Sequence, residues 1–236
     1  MKRFFYLSIA ASLTLLTTAC EKTEILETCT DHCTTITGRL VTADGKVPLA
    51  GANVRVKWIH NDGTGYDKPR TKAAVTTDAN GQYRLNFYIK DDELTQGYFN
   101  VIHGVNQEKY YVIDESVFAF HELTRDTIIQ IADCVIPRKA YVRLSLTNPT
   151  QLSADNAYFA SSFSSLYGPV RDFTAPIQGG GPVFEWRAGS APQTVPVAGD
   201  QLLIVNHIRA RGSVSLRSTD SLVIPAGTTR DYPVTY

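Results

Sequence analysis

The densest run of metal- and redox-competent side chains is Cys29-Thr30-Asp31-His32-Cys33. Two thiolates and an imidazole within five residues suit Zn²⁺, which takes sulfur and nitrogen in a tetrahedral set. No second cysteine pair or downstream histidine cluster supplies a fourth ligand. The five histidines are His32, His60, His103, His121 and His207, and none stands in His-x-x-Glu or His-Glu-x-x-His spacing. Ser161, Ser162, Ser164 and Ser165 surround Phe163 without a Gly-x-Ser-x-Gly elbow. Gly179-Gly180-Gly181-Pro182 lacks the Lys-Ser/Thr that would reach phosphate and Mg²⁺. Asp78-x-Asn80 opens like a calcium loop, but Gln82, Arg84 and Asn86 fill the next polar slots and no bidentate Glu closes it. The chain is therefore expected to be non-enzymatic, with no catalytic residue, no metal site and no cofactor.

Aromatic side chains are the remaining chemistry. A sugar-binding surface stacks exposed rings on pyranose faces and hydrogen-bonds the hydroxyls from neighbouring polar groups. Trp58, Tyr66, Tyr110, Tyr111 and Trp186 are the candidates. Trp58 and Tyr66 lead, because Trp58 ends an alternating segment beside the polar loop His60-Asn61-Asp62-Gly63-Thr64-Gly65-Tyr66. The competing expectation is that these rings fill the core.

The elements that would position them are strands. Period-two alternation runs through Thr35–Val41, Asn53–Trp58 and Gln82–Phe87, with turn chemistry at Asp44-Gly45-Lys46 and Asp78-Ala79-Asn80-Gly81. Further strands are predicted at 98–104, 110–113 and 127–131. Ile136-Pro137-Arg138 reads as a boundary, with proline breaking the ladder. Beyond it, 140–146, 157–160, 183–186, 214–216, 222–224 and 232–234 are strand-like, and Gln201–Val205 is a continuous apolar run suited to a buried central strand. The fold predicted is all-β: two consecutive antiparallel β-sandwich domains, 35–136 and 138–236.

Among 236 residues, 23 basic side chains balance 23 acidic ones, which excludes a strongly basic nucleic-acid binder. A 43% apolar content supports a packed core and excludes a disordered chain. Lys2 and Arg3 precede an apolar run from Phe4 to Leu16, too short to span a bilayer and suited to a signal peptide over residues 1–19. Removing that leader leaves a net charge of −2.

Leu16-Thr17-Thr18-Ala19-Cys20 resembles a bacterial lipobox of the relaxed Bacteroidetes type, with Thr17 where the pattern prefers Leu. The resemblance implies acylation of Cys20, a lipidated tether over 20–34, and an outer-membrane protein on either the cell surface or the periplasmic face. The exported setting is oxidising, so Cys29, Cys33 and Cys134 become disulfide candidates. The expectation preferred here joins one of the first two to Cys134, leaving the choice between them open. Such a bridge leaves one of the three thiols for alkylation without reductant.

Gly38-Arg39-Leu40-Val41, Pro48-Leu49-Ala50-Gly51-Ala52-Asn53-Val54 and Thr77-Asp78-Ala79-Asn80-Gly81-Gln82-Tyr83-Arg84-Leu85 occur in order. Together they resemble the carboxypeptidase regulatory-like domain, a transthyretin-like β-sandwich grouped with carbohydrate-binding-like folds. The resemblance covers roughly 35–136 and implies a scaffold without catalytic residues, since the chain ends Tyr232-Pro233-Val234-Thr235-Tyr236 where transthyretin-like hydrolases carry Tyr-Arg-Gly-Ser. The function expected is a membrane-anchored binding or assembly module with a glycan or envelope-protein partner. The alternative is a structural subunit of an outer-membrane or fimbria-like complex.

Overall fold

A computed structural model describes residues 26, 28–43, 45–61, 63, 67–112, 116–155, 157–166, 181–187 and 189–236. Residues 1–19, where a signal peptide is predicted, Cys20, most of the expected tether over 20–34 and Tyr66 lie outside the described residues.

The first sandwich faces two sheets against one another. In one, β1 (Cys33–Thr42) is flanked antiparallel by β2 (Val47–Pro48) and by β5 (Gln82–Tyr88). Two short strands, β8 (Ile128–Gln130) and β9 (Cys134–Val135), pair with β1 in parallel. The other sheet runs β4 (Asp67–Thr76), β3 (Asn53–Asn61), β6 (Tyr98–Gly104), β7 (Ser116–Phe120). Alternation builds the core directly: Tyr83, Leu85 and Phe87 point inward from β5, facing Val54, Val56 and Phe99 of the second sheet. The Asp78–Gly81 turn forms as its residues predict. The Asp78 carboxylate accepts the Asn80 and Gln82 N–H groups, and Gly81 takes φ +74°. A Cβ there would sit 2.2 Å from the Leu40 carbonyl oxygen, so glycine alone fits.

The second sandwich pairs β13 (Gln193–Ala198), β10 (Lys139–Leu146) and β16 (Thr229–Val234) against β12 (Val183–Trp186), β11 (Tyr158–Ser165), β14 (Leu202–Arg211) and β15 (Val214–Val223). A short helix, α1 (Pro149–Asp155), follows β10. The β10–β16 pair is parallel. The molecule is all-β as expected and mostly antiparallel, but three pairs run parallel where only antiparallel pairing was expected.

Other differences have local causes. Of the segment predicted at 110–113, the described residues 110–112 supply a single bridge, Tyr110 to Arg138, and not a strand. β4, where no strand was predicted, lies at a sheet edge and is held by its ladder to β3. Leu202–Val205 is buried on one face only: Leu203 and Val205 are enclosed, while Leu202 is 52% exposed. The segments predicted at 214–216 and 222–224 are joined in one strand, Val214–Val223, held throughout by the β14 ladder.

The disulfide joins Cys29 to Cys33, with Cα atoms 5.8 Å apart. The bridge expected to Cys134 does not form. Cys134 sits inward on β9, 3% exposed within the first core, while Cys29 lies in the exposed lead-in to β1. The two bridged sulfurs also leave no thiolate for a metal at 29–33.

Tyr111 links the two cores. Ile136 belongs to the first and Ala140 to the second, but Tyr111, from the first sandwich, is buried among Ala140, Val142 and Phe163 of the second at 3% exposure. Its hydroxyl is enclosed without a hydrogen-bond partner, and burial pushes its pKa up to about 12.

Tyr111→Ala is expected to cost about 3–5 kcal/mol, as for other buried aromatic truncations. Tyr111→Phe should cost nothing or gain about 1 kcal/mol, because it removes an unsatisfied polar atom. Denaturant unfolding of the two variants checks this, and a large loss in the Phe variant would contradict it. The raised pKa means that the folded state holds the phenol proton longer than the unfolded chain, so stability should fall as pH rises from 10 towards 12. In alkylation without reductant, Cys134 should be the thiol that reacts, and only on unfolding.

Candidate functional site

Trp58, the leading candidate for an exposed platform, is core, as the competing expectation has it. It shares the inward face of β3 with Val54 and Val56, and is 5% exposed. Its indole N–H donates to the Gln96 carbonyl at 2.9 Å, the Arg70 guanidinium lies 4.9 Å over its ring, and His60 stacks at 5.4 Å. Tyr111 and Trp186, each 3% exposed, are likewise core residues. A sugar ring cannot stack on any of these three.

Beside Trp58 lies an ion cluster that no spacing in the sequence signals. The Glu93 side chain is fully buried in the 3-10 turn Asp92–Leu94. It accepts Lys72 Nζ at 2.6 and 2.9 Å, Arg70 Nη1 at 2.6 Å and the Lys90 N–H at 2.9 Å. With four hydrogen bonds from three donors on its two oxygens the carboxylate is saturated, and the cluster ties the loop after β5 to β4.

The second sandwich holds a longer chain of polar groups. Trp186 Nε1–H donates to Ser161 Oγ at 2.8 Å, Ser161 meets His207 Nδ1 at 2.8 Å, His207 Nε2 meets the Tyr232 hydroxyl at 3.2 Å, and that hydroxyl donates to Asp220 at 2.9 Å. Proton positions follow from the two ends. Tyr232 spends its proton on Asp220, so His207 must donate through Nε2–H, and Nδ1 then accepts the Ser161 hydroxyl. Burial lowers the His207 pKa while Asp220 opposes that shift, and the Tyr232 hydroxyl and the Ser221 N–H lower that of Asp220. A serine beside a neutral histidine has the parts of a nucleophile and base. Here Ser161 is 0% exposed and receives the Trp186 N–H, so no carbonyl can reach it. The chain joins β11, β12, β14, β15 and β16 across the sandwich.

An accessible cleft lies at the domain junction. Lys139 N–H donates to the Lys109 carbonyl, Tyr111 N–H to that of Pro137, and Gly227 N–H to that of Lys139, each at 2.8 Å. These bonds lay 109–111, 137–141 and 226–228 side by side. The resulting cleft, about 420 Å³, is lined by Glu108, Lys109, Tyr110, Arg138, Lys139 and Tyr141, with Ala226 and Gly227 completing its wall. Tyr110 and Tyr141 are half-buried. Arg138 pairs with Asp200 at 2.5 Å, and Asp200 also accepts the Ala226 N–H, the main cause of its lowered pKa. Lys139 Nζ donates to the Gln107 carbonyl. A depression of about 470 Å³ beside Arg39 is more polar, but Arg39 is already committed to Asp133 and the Asn80 carbonyl.

No family model and no curated protein matches the chain. Among solved structures it is similar to a 9R-lipoxygenase from Cyanothece, at 14% identity and TM-score 0.34, over 50% of this chain and 18% of that one. It is also similar to the shaft pilin SpaA of Lactobacillus rhamnosus, at 10% identity and TM-score 0.30, covering 86% and 96% of the two chains. A candidate cell-adhesion protein from Bacteroides ovatus gives 9% identity and TM-score 0.24 over 86% and 91%. Likenesses this distant assign neither family nor role.

Two outcomes check the polar clusters. Glu93→Gln leaves Lys72 buried beside a neutral amide and should cost about 3–5 kcal/mol, with part recovered in the Lys72→Met/Glu93→Gln double variant. The His207 pKa is lowered on folding, so its contribution is present at neutral pH and lost as pH falls below the unfolded value near 6.5. His32, whose exposed ring is raised by Asp126, works in the opposite sense. Thermal melts between pH 7.5 and 5.5 should therefore lose less stability in His207→Gln than in the parent protein.

Proposed function

We propose that this chain is a non-enzymatic, lipid-anchored protein of the outer membrane whose two sandwiches act as one rigid binding or assembly module. The observation that carries this reading is the burial of Tyr111, a first-sandwich side chain, in the second core. Domains joined only by a linker move independently, whereas a side chain packed across the boundary and a ladder beside it oppose that motion.

The tether supports the same reading. It meets the fold at an exposed cluster, where the Cys29–Cys33 bridge precedes β1 and His32 Nδ1 lies 2.8 Å from Asp126. A chain acylated at Cys20 would then hold the module within about 40 Å of the bilayer, the reach of a dozen extended residues. The leader and the lipobox-like ending at Cys20 support anchoring, and the three ordered blocks in 38–85 support a carboxypeptidase regulatory-like first sandwich.

A second reading, a subunit of an outer-membrane or fimbria-like complex, is favoured by β15. It forms the edge of its sheet, nine of its ten residues are exposed, and these include Val214 and Leu216 at 60% and 59%. Such an edge can accept a partner strand.

Metabolic labelling with a fatty acid should mark the parent protein and not Cys20→Ala, which should leave the membrane fraction. Retention of label in that variant would overturn the anchor. Protease shaving of intact cells, with a periplasmic control, then distinguishes the surface from the periplasmic face. Cross-linking to an envelope protein that is lost in Leu216→Lys would favour the subunit reading over glycan capture.

A further inference from the structure

We propose that the junction cleft binds an acidic saccharide, with Lys109 pairing a sugar carboxylate and Tyr110 and Tyr141 packing against the sugar rings. This deepens the binding role proposed above and rests on it, but it stands apart from the anchor.

Charge is the first argument. Three cations, Lys109, Arg138 and Lys139, line the cleft against one carboxylate, Glu108. Arg138 is held by Asp200 and Lys139 by the Gln107 carbonyl. The Lys109 ammonium has no hydrogen bond or ion pair among the described residues, so its charge is available to a ligand. A carboxylate there would make a charge-assisted bond.

Shape is the second argument. Domain interfaces are a preferred place for small-ligand sites, and about 420 Å³ lies within the range of about 300–1,000 Å³ usual for them. Ala226 and Gly227 complete the lining, and no atom lies within 4 Å of where a Gly227 side chain would begin, so the backbone there is open to a ligand. The same backbone is tied into the 109–111, 137–141 and 226–228 ladder, so the walls are ordered before a ligand arrives.

Glu108 narrows the ligand class. Its carboxylate can accept hydroxyl protons but repels a dense anion, which favours a hydroxyl-rich ligand whose charge is spread at one carboxylate per sugar over a phosphate or sulfate ester. A uronic-acid sugar has that combination.

The test is calorimetric titration of the full-length protein in detergent with trigalacturonate, maltotriose and inorganic sulfate. The expected result is saturable binding of trigalacturonate that weakens with added salt, and none of maltotriose. Lys109→Gln should weaken binding by about ten- to hundredfold while leaving the thermal midpoint unchanged. Tyr141→Ala should weaken it as well. Equal binding of maltotriose, or an unchanged Kd in Lys109→Gln, would overturn the proposal. Sulfate binding as tightly as trigalacturonate, indifferent to Tyr141→Ala, would replace it with a simple anion site. Absence of trigalacturonate binding in a protein that still labels at Cys20 would end the proposal and leave the anchor standing.

Discussion

A backbone that passes from one hydrophobic core into another must keep its N–H and C=O groups paired on the way, and this governs the centre of the molecule. Residues 136–141 do so by bonding outward on both sides. Ile136 reaches Val41, Pro137 and Lys139 face 109–111, and the Arg138 and Lys139 carbonyls accept from Gly199 and Gly227. Proline here costs no ladder bond, because the carbonyl of Pro137 is the group that is used. The pairing holds Tyr111 against the second core, and the junction cleft is the space left between the same segments. The packing of Tyr111 and the cleft thus have one cause.

Each sandwich also carries a buried polar system linking elements that packing alone would leave less defined. Glu93 fixes the loop after β5 against β4, and the chain from Trp186 to Asp220 spans both sheets of the second sandwich. Apolar contacts tolerate small sliding, whereas a fully satisfied network accepts only one register, because any other leaves desolvated donors unmade. The serine-histidine contact belongs to this structural use. Its chemistry is cancelled by burial rather than by the absence of the right side chains.

The rings proposed to meet a ligand differ from those suggested by loop proximity. Trp58 lies in register with Val54 and Val56, and that period already pointed inward. Its neighbouring polar loop was the misleading signal. Tyr141 stands on the outward face of β10, between the buried Ala140 and Val142, and is therefore available at the junction.

Much of this protein was legible in residue order. Period-two alternation is a local property of a pleated strand, so the inward faces of β3 and β5, the turn at Asp78–Gly81 and the all-β class could be read directly, whereas β1 is buried in consecutive runs and could not. The change from one core to the other falls between Ile136 and Ala140. The disulfide, the parallel strand pairs, the polar networks and the cleft could not be read this way. Ser161 and His207 are 46 residues apart, His32 and Asp126 94 apart, and nothing in their spacing joins them. Cys134 had the right chemistry for a bridge, but β9 turns it into the core while Cys29 and Cys33 lie close together at the entrance to β1. Alternation specifies which way a residue faces. Only the packed sheets decide what it meets, because that depends on which distant strands become neighbours.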